Sequence, residues 1–251
     1  MARIRLDGRS ASETRPISIE VGVQRYAEGS AQIDVGNTRV ICSASVSDAL
    51  PAWRRDSRLG WVTAEYGMLP RATHTRSSRE AREGRQGGRT LEIQRLVGRS
   101  LRAVTDPTLL GERTVTLDCD VIQADGGTRT AAITGAYVAL FQATNNLVRE
   151  GKLEKSPLRE AVAAISLGYV DGDLMLDLAY DEDSQAQSDF NVVATASGRL
   201  VELQGTAEAA PFERAQLNQI LDLAYQGIES MLTAQGKAIK AIHHAALKRN
   251  N

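Results

Sequence analysis

The sequence predicts an α+β protein folded as a single domain over residues 1–251. Runs of alternating apolar and polar residues recur in both halves of the chain, the period of half-buried strands. Segments with apolar residues at helical spacing interrupt them, and no stretch has the composition of an interdomain linker.

Residues 1–16 are polar, carry Arg3, Arg5, Arg9 and Arg15, and are expected to hold little structure. Ile17, Ile19 and Val21 alternate as a short strand. Ser30–Val35 and Thr38–Val46 read as two strands joined by Gly36-Asn37, a two-residue hairpin signal. Trp61–Tyr66 is another β-prone run. Arg71–Gly88 has almost no apolar residues, so a mobile loop or arm is expected there. From Arg89 the period becomes helical: Ile93, Leu96, Val97, Leu101 and Val104 mark one buried face, ending near Asp106-Pro107. Val115, Leu117, Cys119 and Val121 alternate as a strand that runs into Gly126-Gly127. After Thr128, which can cap a helix, Ile133, Tyr137, Leu140, Phe141, Thr144, Leu147 and Val148 recur at helical spacing until Gly151. The remainder reads as four strands and a helix. Ala161–Val170 and Leu174–Tyr180 flank Asp171-Gly172-Asp173, and Phe190–Thr195 and Leu200–Leu203 flank Ser197-Gly198. Pro211 is expected to open the final helix, buried through Ile220, Leu221, Ala224, Ile228, Met231 and Leu232.

Composition bounds the function. Hydrophobic content of 42% and charged content of 24% are ordinary globular values. No run approaches the ~20 apolar residues of a membrane helix, and the first residues lack the apolar core of a secretion signal. Cys42 and Cys119 both fall in strand-like runs and read as buried thiols. These observations predict a cytoplasmic protein with no membrane partner. Net charge is −1, yet twelve arginines and five acids lie between Arg54 and Arg102, a local excess of seven, with no lysine. Arginine suits bidentate recognition of phosphate and stacking on bases. It is equally at home on a solvated arm or in a subunit interface, so both readings stand.

Two stretches carry candidate chemistry. A strand, a glycine turn and a helix start carrying Arg129 form an anion site, because free amides and the helix dipole meet there. The alternative is a plain strand-to-helix turn with a solvated arginine. Gly87-Gly88 places Arg89 at a second glycine-preceded helix start. Asp181, Glu182, Asp183 and Asp189 gather carboxylates suited to Mg²⁺ or Mn²⁺ beside a substrate phosphate. One of them could instead transfer a proton, and a solvated acidic turn is the plain alternative. His74, His243 and His244 are the only histidines and none stands in a recognisable nucleophile–base pattern. Nucleotide-loop and zinc motifs are absent as well.

The segments Gly-Gly-Arg-Thr-Leu-Glu-Ile-Gln-Arg-Leu-Val-Gly-Arg-Ser-Leu-Arg (87–102), Gln-Ala-Asp-Gly-Gly-Thr-Arg-Thr-Ala-Ala-Ile-Thr-Gly-Ala (123–136), Tyr-Asp-Glu-Asp-Ser (180–184) and Val-Glu-Leu-Gln-Gly-Thr (201–206) resemble ribonuclease PH. The resemblance runs from Arg9 to the final helix. It implies a fold like the second domain of ribosomal protein S5 and a phosphorolytic 3′→5′ exoribonuclease trimming precursor tRNA beyond its CCA end. The reaction would be reversible. It implies further that Arg89, Gly127, Thr128 and Arg129 hold phosphate, and that Asp183 and Asp189 bind the metal. Arg71, Arg76 and Arg79 would grip tRNA, and Arg95 and Arg99 are further candidates for RNA contact. A homohexamer, a trimer of dimers, is the implied assembly. A phosphate nucleophile is already an anion, so such an enzyme needs charge neutralisation rather than a catalytic histidine. The expected alternatives are a catalytically silent RNA-binding ring subunit and a metal-dependent hydrolytic exonuclease. Tyr66 or His74 could stack on a base, with a structural role the more natural one for Tyr66.

Overall fold

Two antiparallel-rich sheets share one helix between them. The computed structural model describes residues 5–209 and 211–248, so Arg3 lies outside the described residues. In chain order the strands and helices are β1 (Ile17–Val21), β2 (Gly29–Val35), β3 (Thr38–Ser47), β4 (Trp61–Met68), α1 (Glu80–Glu83), α2 (Gly88–Ala103), α3 (Pro107–Leu110), β5 (Thr114–Gln123), α4 (Thr128–Arg149), β6 (Val162–Val170), β7 (Asp173–Leu176), α5 (Tyr180–Asp183), β8 (Ser188–Thr195), β9 (Leu200–Ala207) and α6 (Gln216–Lys248). A 3-10 turn, Ala52–Ser57, leads into β4.

The first sheet has the order β1-β2-β3-β5-β4 and the second β7-β6-β8-β9. Only β4 and β5 run parallel, Glu65 beside Asp118, because the segment with α1, α2 and α3 crosses over between them. The Gly36-Asn37 turn pairs Val35 with Thr38, as its hairpin signal predicts. Helix α4 packs on β2 and β3 of the first sheet and on β6 of the second. Its buried residues therefore run around the helix, from Thr130 to Leu140, rather than in a single stripe. Gly135 lets it approach closely, since a Cβ there would lie 2.8 Å from Ile33 Cγ2. Helix α6 also packs on β6, and all nine residues of that strand are buried. One continuous core spans both sheets. Cys42 and Cys119 are free and buried, as expected. No described helix is long and apolar enough to cross a membrane.

The structure departs from the sequence reading in four places. Strand β7 stops at Leu176, because Asp177 turns the backbone to φ +52°, and the expected acidic loop is the short helix α5. The final helix begins at Gln216 and not at Pro211. Phe212 is used instead to cover Phe190, ring centroids 4.8 Å apart. The leading segment has no regular element among its described residues, yet Arg5 and Arg15 are both buried. What the sequence reading did not foresee is the anchoring, in which each guanidinium meets a carboxylate inside the fold. Between Arg71 and Gly88 the chain is irregular apart from α1 and the start of α2.

Candidate active site

The glycine turn is built by the sequence on both sides of it. Gly126 and Gly127 adopt φ +75° and +65°, and a Cβ on Gly126 would stand 2.3 Å from the Leu178 carbonyl oxygen. Only glycine fits so close to the second sheet. Thr38 Oγ1 donates to the Gly126 carbonyl at 2.6 Å and accepts from the Asp125 amide at 2.9 Å. Arg15 donates to the carbonyls of Asp125 and Gly126, and its Nη2 sits 2.7 Å from Asp177 Oδ1. Asp125 Oδ1 accepts from the Tyr180 amide at 3.1 Å, which joins the turn to α5. Gly127 is the cap of α4, so the first amides of that helix have no partner within it.

A cavity of about 70 Å³ opens at this helix start. Arg89, Gly127, Thr128, Arg129, Asp183 and Asp189 all line it, so six residues from four parts of the sequence meet in one place. Ser166, Leu167, Phe190 and Asn191 complete the wall. Tyr66 is buried and its hydroxyl donates to Thr128 Oγ1 at 2.8 Å, so it braces Thr128 from behind the cavity lining. Burial raises the Tyr66 phenol, with the hydrogen bond to Thr128 and then Arg89 and Arg129 opposing. Arg129 is aimed by Gln204 Oε1 at 3.1 Å and Glu92 Oε1 at 3.4 Å. Gln204 donates to Glu202, which takes a two-point bond from Arg99. Arg99 thus braces the scaffold behind Arg129 while remaining exposed, as Arg95 is on the same helix.

Asp183 is open to solvent at the cavity mouth, but enough protein surrounds it that desolvation raises its pKa. The Asp189 carboxylate raises it further, while Arg89, Arg129 and Arg15 oppose. Asp189 is raised chiefly by burial, against the pull of Arg129. Glu182 is turned away. It pairs with Arg5 and caps α5 through the Ala179 amide at 2.9 Å, so it leaves the expected carboxylate group. Among the described residues no group of three or more His, Cys, Asp and Glu side chains forms a ready cage for a metal. Two crowded carboxylates on one cavity nevertheless fit a hard cation that takes its other oxygens from water and phosphate.

The arginine arm lies next to this cavity. Arg89 also lines a groove of about 860 Å³ with Arg79 and Arg85. Arg71 and His74 line a third cleft, of about 1090 Å³, on the other side of the glycine turn. There His74 stands 5.5 Å from the Tyr180 ring, both side chains exposed. Arg76 is exposed and lines neither cleft. Arg102 stacks on Trp61 at 4.3 Å and donates to the Val62 carbonyl, a packing role.

Residues 13–144 match the 3′ exoribonuclease family, domain 1, and residues 160–227 match its domain 2. The chain belongs to the ribonuclease PH family. Arg89, Gly127, Thr128 and Arg129 fall in the first ribonuclease PH match, Asp183 and Asp189 in the second, and the cavity draws on both. Solved structures share the fold. A crystal structure of rice (Oryza sativa) Rrp46 has a TM-score of 0.75 at 18% identity, covering 92% of this chain and 98% of that one. The Archaeoglobus fulgidus exosome with RNA bound to the active site has a chain with a TM-score of 0.78 at 20% identity, covering 91% of each.

Arg15, Asp177, Glu92, Gln204, Ser166 and Asn191 were missed in the sequence. Alternation along β9 does place Glu202 and Gln204 on one face, a usable signal. Nothing local marks Arg15 and Asp177, which are 162 residues apart.

Proposed function

We propose that this ribonuclease PH family chain is a phosphate-dependent 3′→5′ exoribonuclease that trims precursor tRNA beyond CCA. One observation carries the reading: two arginines, a glycine-led helix start and two carboxylates line a single small cavity. An oxygen of orthophosphate attacks the phosphorus of the last linkage. The bond from that phosphorus to the 3′ oxygen of the preceding nucleotide breaks, a nucleoside 5′-diphosphate leaves, and the 3′ oxygen takes a proton. Two anions must approach for this, so the site has to neutralise charge. Arg89 and Arg129 supply fixed positive charge, and the α4 amides supply oriented donors. Mg²⁺ or Mn²⁺ held by Asp183 and Asp189 would add the neutralisation that a hard cation provides. Thr128, fixed by Tyr66, sets the edge of the phosphate position. Arg71, Arg76 and Arg79 grip the body of the RNA, and Arg95 extends that surface. The protein works as a homohexamer, a trimer of dimers, in the cytoplasm.

The deciding experiment supplies a 3′-extended tRNA with and without inorganic phosphate. Release of nucleoside diphosphates only with phosphate supports the proposal; monophosphates without it would replace phosphorolysis by hydrolysis. The likeness to exosome chains favours one further reading, an RNA-binding ring subunit that does not cut. That reading requires no release in either condition.

A further inference from the structure

Strand β6 carries one hydroxyl whose position its packing leaves unexplained. Ser166 is flanked by Ile165 and Leu167 in a strand buried along its whole length, and it is only 8% exposed. Its Oγ is buried and has no hydrogen-bond partner. An unpaired buried hydroxyl is destabilising, and native proteins satisfy the large majority of such groups. Packing alone would be served better by alanine or valine.

The hydroxyl points at the glycine turn. A Cβ built on Gly127 would lie 3.3 Å from Ser166 Oγ, so the oxygen rests against the cap of α4. It lines the same cavity of about 70 Å³ as Thr128, Arg129, Asp183 and Asp189. The first amides of α4 also lack partners within their helix. Unpaired donors from a strand and from a helix start therefore meet around one volume. That volume is far smaller than the two clefts beside it, of about 860 and 1090 Å³, and suits a small anion rather than a nucleotide.

The backbone holds the hydroxyl in place. The Ser166 carbonyl accepts from the Asp177 amide at 2.7 Å. The Asp177 carboxylate is gripped by Arg15, which also binds the Asp125 and Gly126 carbonyls. Ser166 and the glycine turn thus hang from one buried ion pair, which fixes the spacing between them. Across the ladder Ser166 faces Asn191, and the next strand pair on that side sets Gly168 opposite Asp189.

We propose that Ser166 is a further phosphate ligand, its Oγ–H donating to the orthophosphate oxygen that faces the second sheet. The inference rests on the phosphorolytic reading and extends it. A hydrogen bond to a charged acceptor is worth enough to change an affinity about tenfold.

The test uses the full chain, a short oligoribonucleotide and a range of phosphate concentrations. Ser166→Ala is expected to raise the phosphate KM about tenfold while the KM for the oligonucleotide stays within twofold. Without phosphate its melting midpoint should match or exceed that of the unaltered protein, because only an unpaired hydroxyl is removed. Adding phosphate should raise that midpoint less than in the unaltered protein. Ser166→Cys, a weaker donor of similar shape, should fall between the two. Arg129→Ala serves as the reference for a site short of one phosphate ligand. If Arg129→Ala loses phosphate affinity and Ser166→Ala keeps it, the hydroxyl serves only a trapped water and the inference is overturned while phosphorolysis stands. If the unaltered protein ignores phosphate, the phosphorolytic reading fails and this inference fails with it.

Discussion

Arg15 crosses from the leading segment to the two structures that frame the cavity. It is 4% exposed, and its guanidinium bonds to Asp177 and to the carbonyls before and within the glycine turn. Removing one partner of a buried pair leaves an uncompensated charge, at a cost of about 3–5 kcal/mol. Arg15→Ala should therefore lower the urea midpoint sharply and raise the phosphate KM; a change in stability of under about 1 kcal/mol would show that the pair is not shielded as described. Glu160 offers a test by pH. Desolvation pushes its carboxyl up, but Arg199 and the Ser197 amide lower it from 4.5 to about 2. A lowered folded value means that the contribution is present above the ordinary carboxylate range and fades as the pH falls towards 2. The melting difference between the unaltered protein and Glu160→Gln should be largest at neutral pH and shrink through that window. A difference constant from neutral to acid would contradict it.

At the scale of the element, the turn before α4 is the least replaceable part. Gly126 needs both its positive φ and its missing side chain, since a Cβ would meet the Leu178 carbonyl at 2.3 Å. Gly126→Ala should cost at least about 2 kcal/mol, combining left-handed strain with overpacking. Phosphate-dependent release should fall with it, and retention of both stability and release would mean the two sheets are not wedged at this point. The turn was legible in the sequence because glycine pairs, strand alternation and helical spacing are local signals. Strands β2 and β3 and helix α2 were legible for the same reason. For helix α4 the sequence reading named one series of positions at helical spacing, from Ile133 to Val148, and left out the buried residues between them, because periodicity does not register a second sheet on the other side. The start of α6 was misread because Phe212 is held by a ring, Phe190, that only the fold brings near. Arg89, Arg129, Asp183 and Asp189 were legible as charged residues in suggestive settings. Their convergence, and the aiming of Arg129 by Glu92 and Gln204, depend on contacts across 37 and 75 residues.

For the molecule as a whole, a near-neutral chain of net charge −1 concentrates a positive excess in the segment whose arginines line both clefts beside the cavity. Replacing Arg71, Arg76 and Arg79 together by alanine should weaken a full-length tRNA far more than a short oligonucleotide that reaches only the cavity. The slope of log affinity against log salt should flatten by about 0.7 for each phosphate left without its arginine on single-stranded RNA, or roughly 2 for all three. Equal losses on long and short RNA would remove the arm from the binding surface. The arm has a physiological corollary as well. Between Arg54 and Arg102 the twelve basic side chains are all guanidinium groups and none is a lysine amine. A guanidinium keeps its charge across the whole cellular pH range. Acetyltransferases, which silence lysines by acylating them, have no amine to modify there, and acidification has no arginine proton to add. Competing polyanions, or a partner that covers the arm, can still loosen this grip.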